Sequence, residues 1–385
     1  MSRDQSSFDA DLIILGGGCA GLSLASRLAH QSPKVRVVVL EARTCYQEDR
    51  TWCGWRTEPH FFDDCVVSQW NQWRVVTPTC SLRLGSAGYP YEMLNSKLIY
   101  EKACNLIRGS RSVNLMTGAR VKDVIDSERQ VTVCLGDGTI LTAPWAVDTR
   151  PHQRSLRPPW LWQNFVGYVV QLEDERQGMW GSLPTLMDFQ PAGDSVAQFM
   201  YILPMSANSY LCEWTRFAQI PGERDLIETE LRTWLDRETN GGWAMERQEF
   251  GSLPMAPPLE NFQHRIVDGG TRGGSLRAST GYAFHAIQRW ADTCAASIAK
   301  TGIPVPPRRN CLLECMDELF LRVLQHESTS AALMFSRLFG DCDPDRLVRF
   351  LAGIPRYDDL WAVVSSLPWP PFLLAAPSLA VGGRP

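Results

Sequence analysis

The sequence predicts an α/β protein in which a parallel sheet with helical connections is joined to an antiparallel β-sheet and followed by a helical C-terminal part. Three observations carry this. Residues 11–41 read as strand, glycine turn, helix and strand; residues 158–251 hold a succession of short apolar segments; and from Cys311 onward apolar residues recur at helical spacing.

The first observation is the most informative. Leu12 to Leu15 is a short apolar run, β-branched in its middle and stopped by glycines, as expected of a buried central strand. Leu22, Leu24, Ala25 and Leu28 then follow with helical period. Between them, Gly16 allows a tight turn, Gly18 lets the backbone approach a pyrophosphate, and Gly21 lets the helix pack on the strand. Glu41 closes the next strand, 20 residues after Gly21, the distance at which an acid meets ribose hydroxyls. Strand, glycines, helix, strand and acid in that order specify a Rossmann-type dinucleotide-binding unit, with phosphates on the helix N-terminus.

Composition bounds the rest. A chain of 385 residues is too long for one ordinary core, and 44% hydrophobic with 21% charged residues marks a folded globular protein. The net charge is −4 and basic residues are not blocked together, so no nucleic-acid partner is expected. The start Met-Ser-Arg-Asp-Gln has no apolar signal core, so the twelve cysteines are expected to be reduced and the protein cytoplasmic. Cys311 and Cys315, at i and i+4, have no nearby ligand partner and are expected to pack in the core. The six histidines form no HExxH and no visible cluster, so no metal is expected. No apolar run can span a bilayer; Leu360 to Gly383 is uncharged and holds Trp361 and Trp369, but Pro368, Pro370, Pro371 and Pro377 forbid a spanning helix. That segment either packs on the body or lies against a membrane surface.

In chain order, the loop from Arg43 to Trp55 carries Arg50, Trp52 and Trp55 beside the glycine turn. The tryptophans either cover a ring system or simply pack; Arg50 either contacts phosphate or forms a surface ion pair. Val66 to Val76 and Ser81 to Leu84 read as antiparallel β, and Asn95 or Ser96 caps a helix through Leu98, Ile99, Ala103, Leu106 and Ile107. Arg120 to Val133 is a strand pair, Asp137-Gly138 a hairpin turn, and Ala143 to Val147 returns the chain to the first sheet at Asp148. A β-meander followed by such a strand is the order of two-dinucleotide-domain flavoproteins. Val166 to Leu172, Leu183 to Phe189, Ser195 to Leu203 and Ser209 to Arg216 follow as antiparallel strands, then a helix from Asp225 to Glu238, together suggesting a sheet laid over a pocket. A second glycine-rich turn, Gly269 to Thr280, precedes a helix from Tyr282 to Ala299, and beyond Cys311 the apolar face is Leu312, Met316, Leu319, Phe320 and Val323.

Taken in order, these residues resemble the soluble FAD-dependent lycopene cyclases of bacteria and plants, over Asp11 to about Gly353. The resemblance rests on Gly16, Gly18, Gly21 and Glu41; Arg50-Thr51-Trp52; Asp148-Thr149-Arg150-Pro151; Met187-Asp188-Phe189; Tyr201-Ile202-Leu203-Pro204; Glu213 with Thr215; Gly251-Ser252-Leu253-Pro254; and Thr280-Gly281-Tyr282. It implies formation of β-ionone rings at the ends of lycopene without net redox change, reduced FAD as cofactor, NAD(P)H as reductant, and cofactor contacts from Gly16, Gly18, Gly21, Glu41, Arg50, Asp148, Thr280, Gly281 and Tyr282. It also implies an essential acid at Glu213; the strand alone favours an outward-facing glutamate on a two-sided strand. Asp188 is either a helper acid or a structural acceptor. Where relatives carry a second acid this chain has Trp214, either a cation-stabilising face or a space-filler, and Arg277-Ala278-Ser279 departs from the family before Thr280.

The expected organisation is a discontinuous FAD-binding domain of 10–60, 95–157 and 265–303, a substrate sheet of 61–94 and 158–264, and a helical region of 304–385. Because lycopene is insoluble in water, peripheral membrane attachment is expected. The competing reading is an FAD-dependent monooxygenase or other oxidoreductase of the same fold acting on an apolar substrate.

Overall fold

The computed structural model describes residues 8–375, apart from 32–33, 153, 174–175, 177, 192, 194 and 327–330. Its first sheet is parallel, in the order β18-β12-β1-β2-β8, from β1 (Leu12–Leu15), β2 (Val37–Leu40), β8 (Val113–Met116), β12 (Trp145–Asp148) and β18 (Ile266–Asp268). β1 is apolar at every position because both its faces are covered. Leu12 and Ile14 pack against α1 (Cys19–Gln31), α2 (Ser96–Gly109) and α4 (Phe284–Thr301), whereas Ile13 and Leu15 pack against a meander of β9 (Val121–Asp126), β10 (Val131–Leu135) and β11 (Ile140–Ala143). The expected hairpin at Asp137-Gly138 joins the last two of these strands, with Gly138 at φ 91°. α1 and α4 are clamped by Arg27, which is 1% exposed and reaches Asp292, Gln288 and the Ser23 carbonyl.

Between these parts, β3 (Thr51–Trp55), β4 (Val66–Trp70) and β7 (Tyr91–Asn95) form a small antiparallel sheet. Asn95 caps α2, its Oδ1 accepting from the backbone N–H groups of Lys97 and Leu98. A seven-stranded sheet has the order β17-β13-β16-β15-β14-β5-β6, from β5 (Gln72–Val76), β6 (Ser81–Gly85), β13 (Leu161–Leu172), β14 (Thr185–Phe189), β15 (Ala197–Pro204), β16 (Ser209–Ala218) and β17 (Trp243–Met255). All its neighbours are antiparallel except β14 and β5. One face is covered by α3 (Arg224–Thr239), through Ile227, Leu231, Trp234 and Leu235. The other looks toward the parallel sheet's end of the molecule and the C-terminal helices, α5 (Cys311–His326), α6 (Ala331–Asp341), α7 (Pro344–Leu351), α8 (Tyr357–Ser366) and α9 (Trp369–Ala375).

Three expectations change here. Cys311 and Cys315 are exposed, not core-packed, and Leu312 is exposed too, because α5 buries Leu313, Phe320, Leu321, Val323 and Leu324. α4 begins at Phe284, two residues later than expected, after the Thr280-Gly281-Tyr282 turn. The uncharged C-terminal segment packs on the body only in part: Val363 and Ala375 are buried, while Trp361, Trp369, Leu373 and Leu374 are 65%, 47%, 65% and 84% exposed. Pro377 and the stretch to Gly383 lie outside the described residues. Among the described residues no helix is long and apolar enough to cross a membrane.

Candidate active site

Residues directly opposite one another in a sheet share a face, so register decides which side chains meet. Gly167 on β13 sits opposite Glu213 of β16 on one side and Glu249 of β17 on the other, and Glu213 in turn sits opposite Tyr201 of β15. The row Tyr201–Glu213–Gly167–Glu249 therefore faces one way. The glycine leaves the space the two carboxylates need: a Cβ on it would come within 3.2 Å of Glu249 Cγ and 3.4 Å of Glu213 Cβ. All of the row but the glycine lines a cavity of about 460 Å³.

The next register row points the other way. Asp188 pairs with Met200, Met200 with Trp214 and Trp214 with Val166. Met200, Trp214 and Val166 are buried in the cluster beneath α3. Trp214 thus fills space behind the sheet, and Asp188, whose carboxyl is raised by burial and by Glu238, lies with it; the neighbouring Met187 lines the cavity instead.

Glu213 accepts a hydrogen bond from the Thr215 hydroxyl at 3.0 Å. Burial, and then the Glu249 carboxylate, push its acid up to about 8. Glu249 is also raised by burial, but Arg247 donates to it at 2.6 Å and Thr51 at 3.2 Å. With a guanidinium on Glu249 and only a hydroxyl on Glu213, Glu249 is the member of the pair that ionises first. The pair therefore favours one protonated carboxyl, on Glu213, beside one ionised carboxyl, on Glu249.

Around the two acids the walls are aromatic: Trp52, Trp55, Tyr91, Phe165, Phe199 and Tyr282. Trp55 is 2% exposed, with Trp73, Tyr91 and Tyr282 edge-on to it at 5.0–5.5 Å. Tyr91 and Tyr201 share a 2.7 Å hydrogen bond, and burial raises both phenols well above their ordinary value. Such walls exclude water and present π-faces to a cation.

The same cavity runs to Cys19, the first residue of α1, and so to the glycine turn. Gly16 has φ 97°, and the Thr149 hydroxyl staples it by donating to the carbonyls of Leu15 and Gly16 at 2.9 and 3.0 Å. A Cβ on Gly21 would collide with the Gly16 carbonyl, whereas above Gly18 there is open space. Glu41, 7% exposed, accepts from the Gly17 N–H at 2.9 Å and from Arg43, and these bonds hold it below the usual carboxylate range against the opposing effect of burial. Asp148 is buried and held by Arg150, whose Nη2 donates at 2.7 Å. Arg50 lines the cavity near both acids, with its guanidinium 5.9 Å from the Phe250 ring centre. Thr280, Gly281 and Tyr282 line it from the opposite side, Gly281 at φ 73° with its N–H given to the Arg277 carbonyl. The Gln163 amide oxygen, in the same wall, is buried without a partner among the described residues. A tight turn at a helix N-terminus, an open approach at Gly18 and an unpaired polar atom deeper in the cavity fit a dinucleotide cofactor extended toward the sheet.

The sequence pattern of the lycopene cyclase protein family matches residues 11–376. The chain belongs to this family. It is 27% identical over 309 residues to the lycopene beta-cyclase of Pseudescherichia vulneris, covering 77% of this chain and 76% of that protein. With the lycopene beta-cyclase of Pantoea ananas the identity is 23% over 97% of this chain and 99% of the other. Among solved structures, the flavin-dependent brominase Bmp2 superposes with a TM-score of 0.62 over 96% of this chain and 99% of that one at 12% identity. The fold is thus the Rossmann-type FAD-binding fold with helices added at the C-terminus, as expected.

Two groupings in this lycopene cyclase family member escape sequence reading. Glu249 stands two residues before the Gly251-Ser252-Leu253-Pro254 motif, in a strand where Arg247, Glu249 and Gly251 alternate with Gln248 and Phe250. The alternation could have flagged it, but a charged residue beside Arg247 reads equally as a solvated face. The histidines, expected to form no cluster, do meet: His60 Nε2 lies 2.7 Å and His285 Nε2 3.4 Å from Glu92 Oε1. His60 Nδ1 accepts from the Phe62 N–H, so Nε2 is the donor to Glu92. Arg56 stands 3.5 Å from the other Glu92 oxygen, and burial pushes His285 down to about 4, leaving it neutral.

Proposed function

We propose that the protein is a lycopene β-cyclase that binds FAD and closes the linear ends of lycopene to β-ionone rings, an intramolecular lyase or isomerase reaction with Glu213 as the general acid. The observation that carries this reading is a carboxyl raised to about 8, in an aromatic cavity that reaches the glycine turn. An acid protonated at neutral pH is what alkene protonation needs.

In this reading Glu213 gives its proton to the terminal double bond, forming one C–H bond. The neighbouring double bond attacks the cation, closing the ring, and the adjacent carbon loses a proton to the carboxylate pair. The pair begins and ends with one proton, so the step balances without any oxidant. Aromatic faces and the ionised Glu249 stabilise the cation. The cofactor would lie along Gly16, Gly18, Gly21 and Glu41, with Asp148 holding the return loop and Arg50, Thr280, Gly281 and Tyr282 bordering its inner end. When bound and reduced by NAD(P)H, FAD would supply negative charge that stabilises a cation, which would account for a redox cofactor in a reaction without net redox change. We assign Asp188 a structural role behind the sheet. The organisation that fits is the discontinuous cofactor domain 10–60, 95–157 and 265–303, the substrate sheet 61–94 and 158–264, and the helical region from 304, with peripheral attachment to a membrane through the exposed residues of α8 and α9.

The competing reading is a flavin monooxygenase acting on an apolar substrate, since Bmp2 shares the fold. Redox stoichiometry separates them. A cyclase makes β-ring product with NADPH consumed only to reduce the flavin initially; consumption of one NADPH and one O₂ per product would overturn the proposal.

A further inference from the structure

A linear substrate with two like ends can bring only one of them to Glu213 at a time, and the remainder of the chain must lie somewhere dry. The main cavity, at about 460 Å³, falls at the lower end of the roughly 300–1,000 Å³ that holds one drug-sized ligand. In the reading above it must take a flavin ring as well as one polyene end. It has no room for the whole chain.

A second cavity of about 240 Å³ lies among α5, α6, α8 and α9, and four residues, Ser279, Thr280, Phe335 and Leu351, line both spaces. Its own walls are apolar: Met316, Phe320, Leu338, Val363 and Phe372. Its acid, Asp317, is already engaged, pairing with Arg277 at 2.9 Å and accepting from the Ser279 hydroxyl at 2.7 Å. The polar groups are therefore tied back at the inner end, and nothing else in the wall asks for a polar ligand. At the outer end stand Trp369 and Leu373, 47% and 65% exposed, beside Val364 at 39%. An apolar cavity that adjoins the first at Thr280 and lies beside exposed aromatic and aliphatic residues suits a long hydrocarbon arriving from a lipid phase.

We infer that this second cavity is a binding subsite for the distal, unreacting part of the linear hydrocarbon, and the path by which the chain reaches Glu213. The inference rests on the cyclase reading, and extends it to how one end is held while the other reacts. The occupant is the substrate's own polyene chain.

The test compares lycopene with a truncated polyene that carries one reactive end and is short enough for the main cavity alone, using full-length protein loaded with FAD. Leu338→Trp and Met316→Trp, neither of which lines the main cavity, fill the second cavity from two different helices. Thermal melting and bound flavin absorbance establish that each variant is folded and loaded. The expected result is a fall in kcat/KM for lycopene of about tenfold or more with the short substrate within about twofold of wild type, as for a blocked subsite. Equal turnover of lycopene by wild type and both variants, or an equal loss on the two substrates, would overturn the subsite. A wild-type protein that cyclises neither substrate would overturn the underlying reading instead.

Discussion

At the scale of single residues, the account turns on two carboxyls sharing one proton across a glycine. Because Glu213 acts protonated, activity should fall as pH rises through about 8. Glu249→Gln removes the negative charge that, after burial, helps raise Glu213, and so lowers the Glu213 pKa. The alkaline limb of the pH–rate profile should therefore move to lower pH, and an unmoved limb would remove Glu249 from the mechanism. The same shift has a sign for stability. With its folded pKa raised from 4.5 to about 8, the folded protein holds the Glu213 proton over that window while the unfolded chain does not. Stability from this group is fully present below pH 4.5, falls progressively as pH rises toward 8, and is lost above it; Glu213→Gln should flatten this part of the melting-temperature curve. Glu213 was singled out by the family resemblance, because its strand pattern alone left an outward-facing glutamate open. Glu249 was not, because its meeting with Glu213 depends on two strand registers through Gly167, and register is a tertiary choice that local pattern leaves open.

At the scale of elements, the glycine turn was legible because its logic is local: the positive φ of Gly16 and the close approach at Gly21 are consequences of adjacent residues. Helix α5 shows where local pattern stops. Leu312, Leu313, Met316, Leu319, Phe320, Leu321, Val323 and Leu324 lie around much of its circumference, so periodicity permits more than one buried face and packing chooses Leu313, Phe320, Leu321, Val323 and Leu324. Likewise Trp214, adjacent to Glu213, lies on the opposite face by strand alternation. An acid there would not meet Glu213 across the sheet surface. The element-level test is Gly167→Ala on β13. Its added methyl would press on Glu249, Leu211 and Glu213 at 3.2–3.4 Å, at a cost of about 1–3 kcal/mol. Lower activity in a protein that still melts cooperatively is the expected outcome; unchanged activity would mean that the spacing of the two acids does not matter.

At the scale of the whole molecule, the parallel sheet, the seven-stranded sheet and the C-terminal helices enclose a cavity running from the glycine turn to the acids, and a second apolar one reaching the exposed face of α8 and α9. Trp361, Trp369, Leu373 and Leu374 leave a cluster of exposed apolar side chains on those helices, suited to a lipid surface. Replacing Trp361 and Leu374 by serine should reduce co-sedimentation with liposomes while leaving thermal stability nearly unchanged, since these side chains are 65% and 84% exposed and line neither cavity. Full retention on liposomes would place attachment elsewhere. The measurement that bears most directly on the central claim is an anaerobic assay of the purified protein with FAD, dithionite and lycopene in liposomes, wild type beside Glu213→Gln, with carotenoids resolved by chromatography. The account predicts β-ring product from the wild type only when flavin is reduced, and a rate about 10²–10⁴-fold lower for Glu213→Gln with flavin still bound. Product formed equally well by the variant, or by the wild type with oxidised flavin, would contradict it.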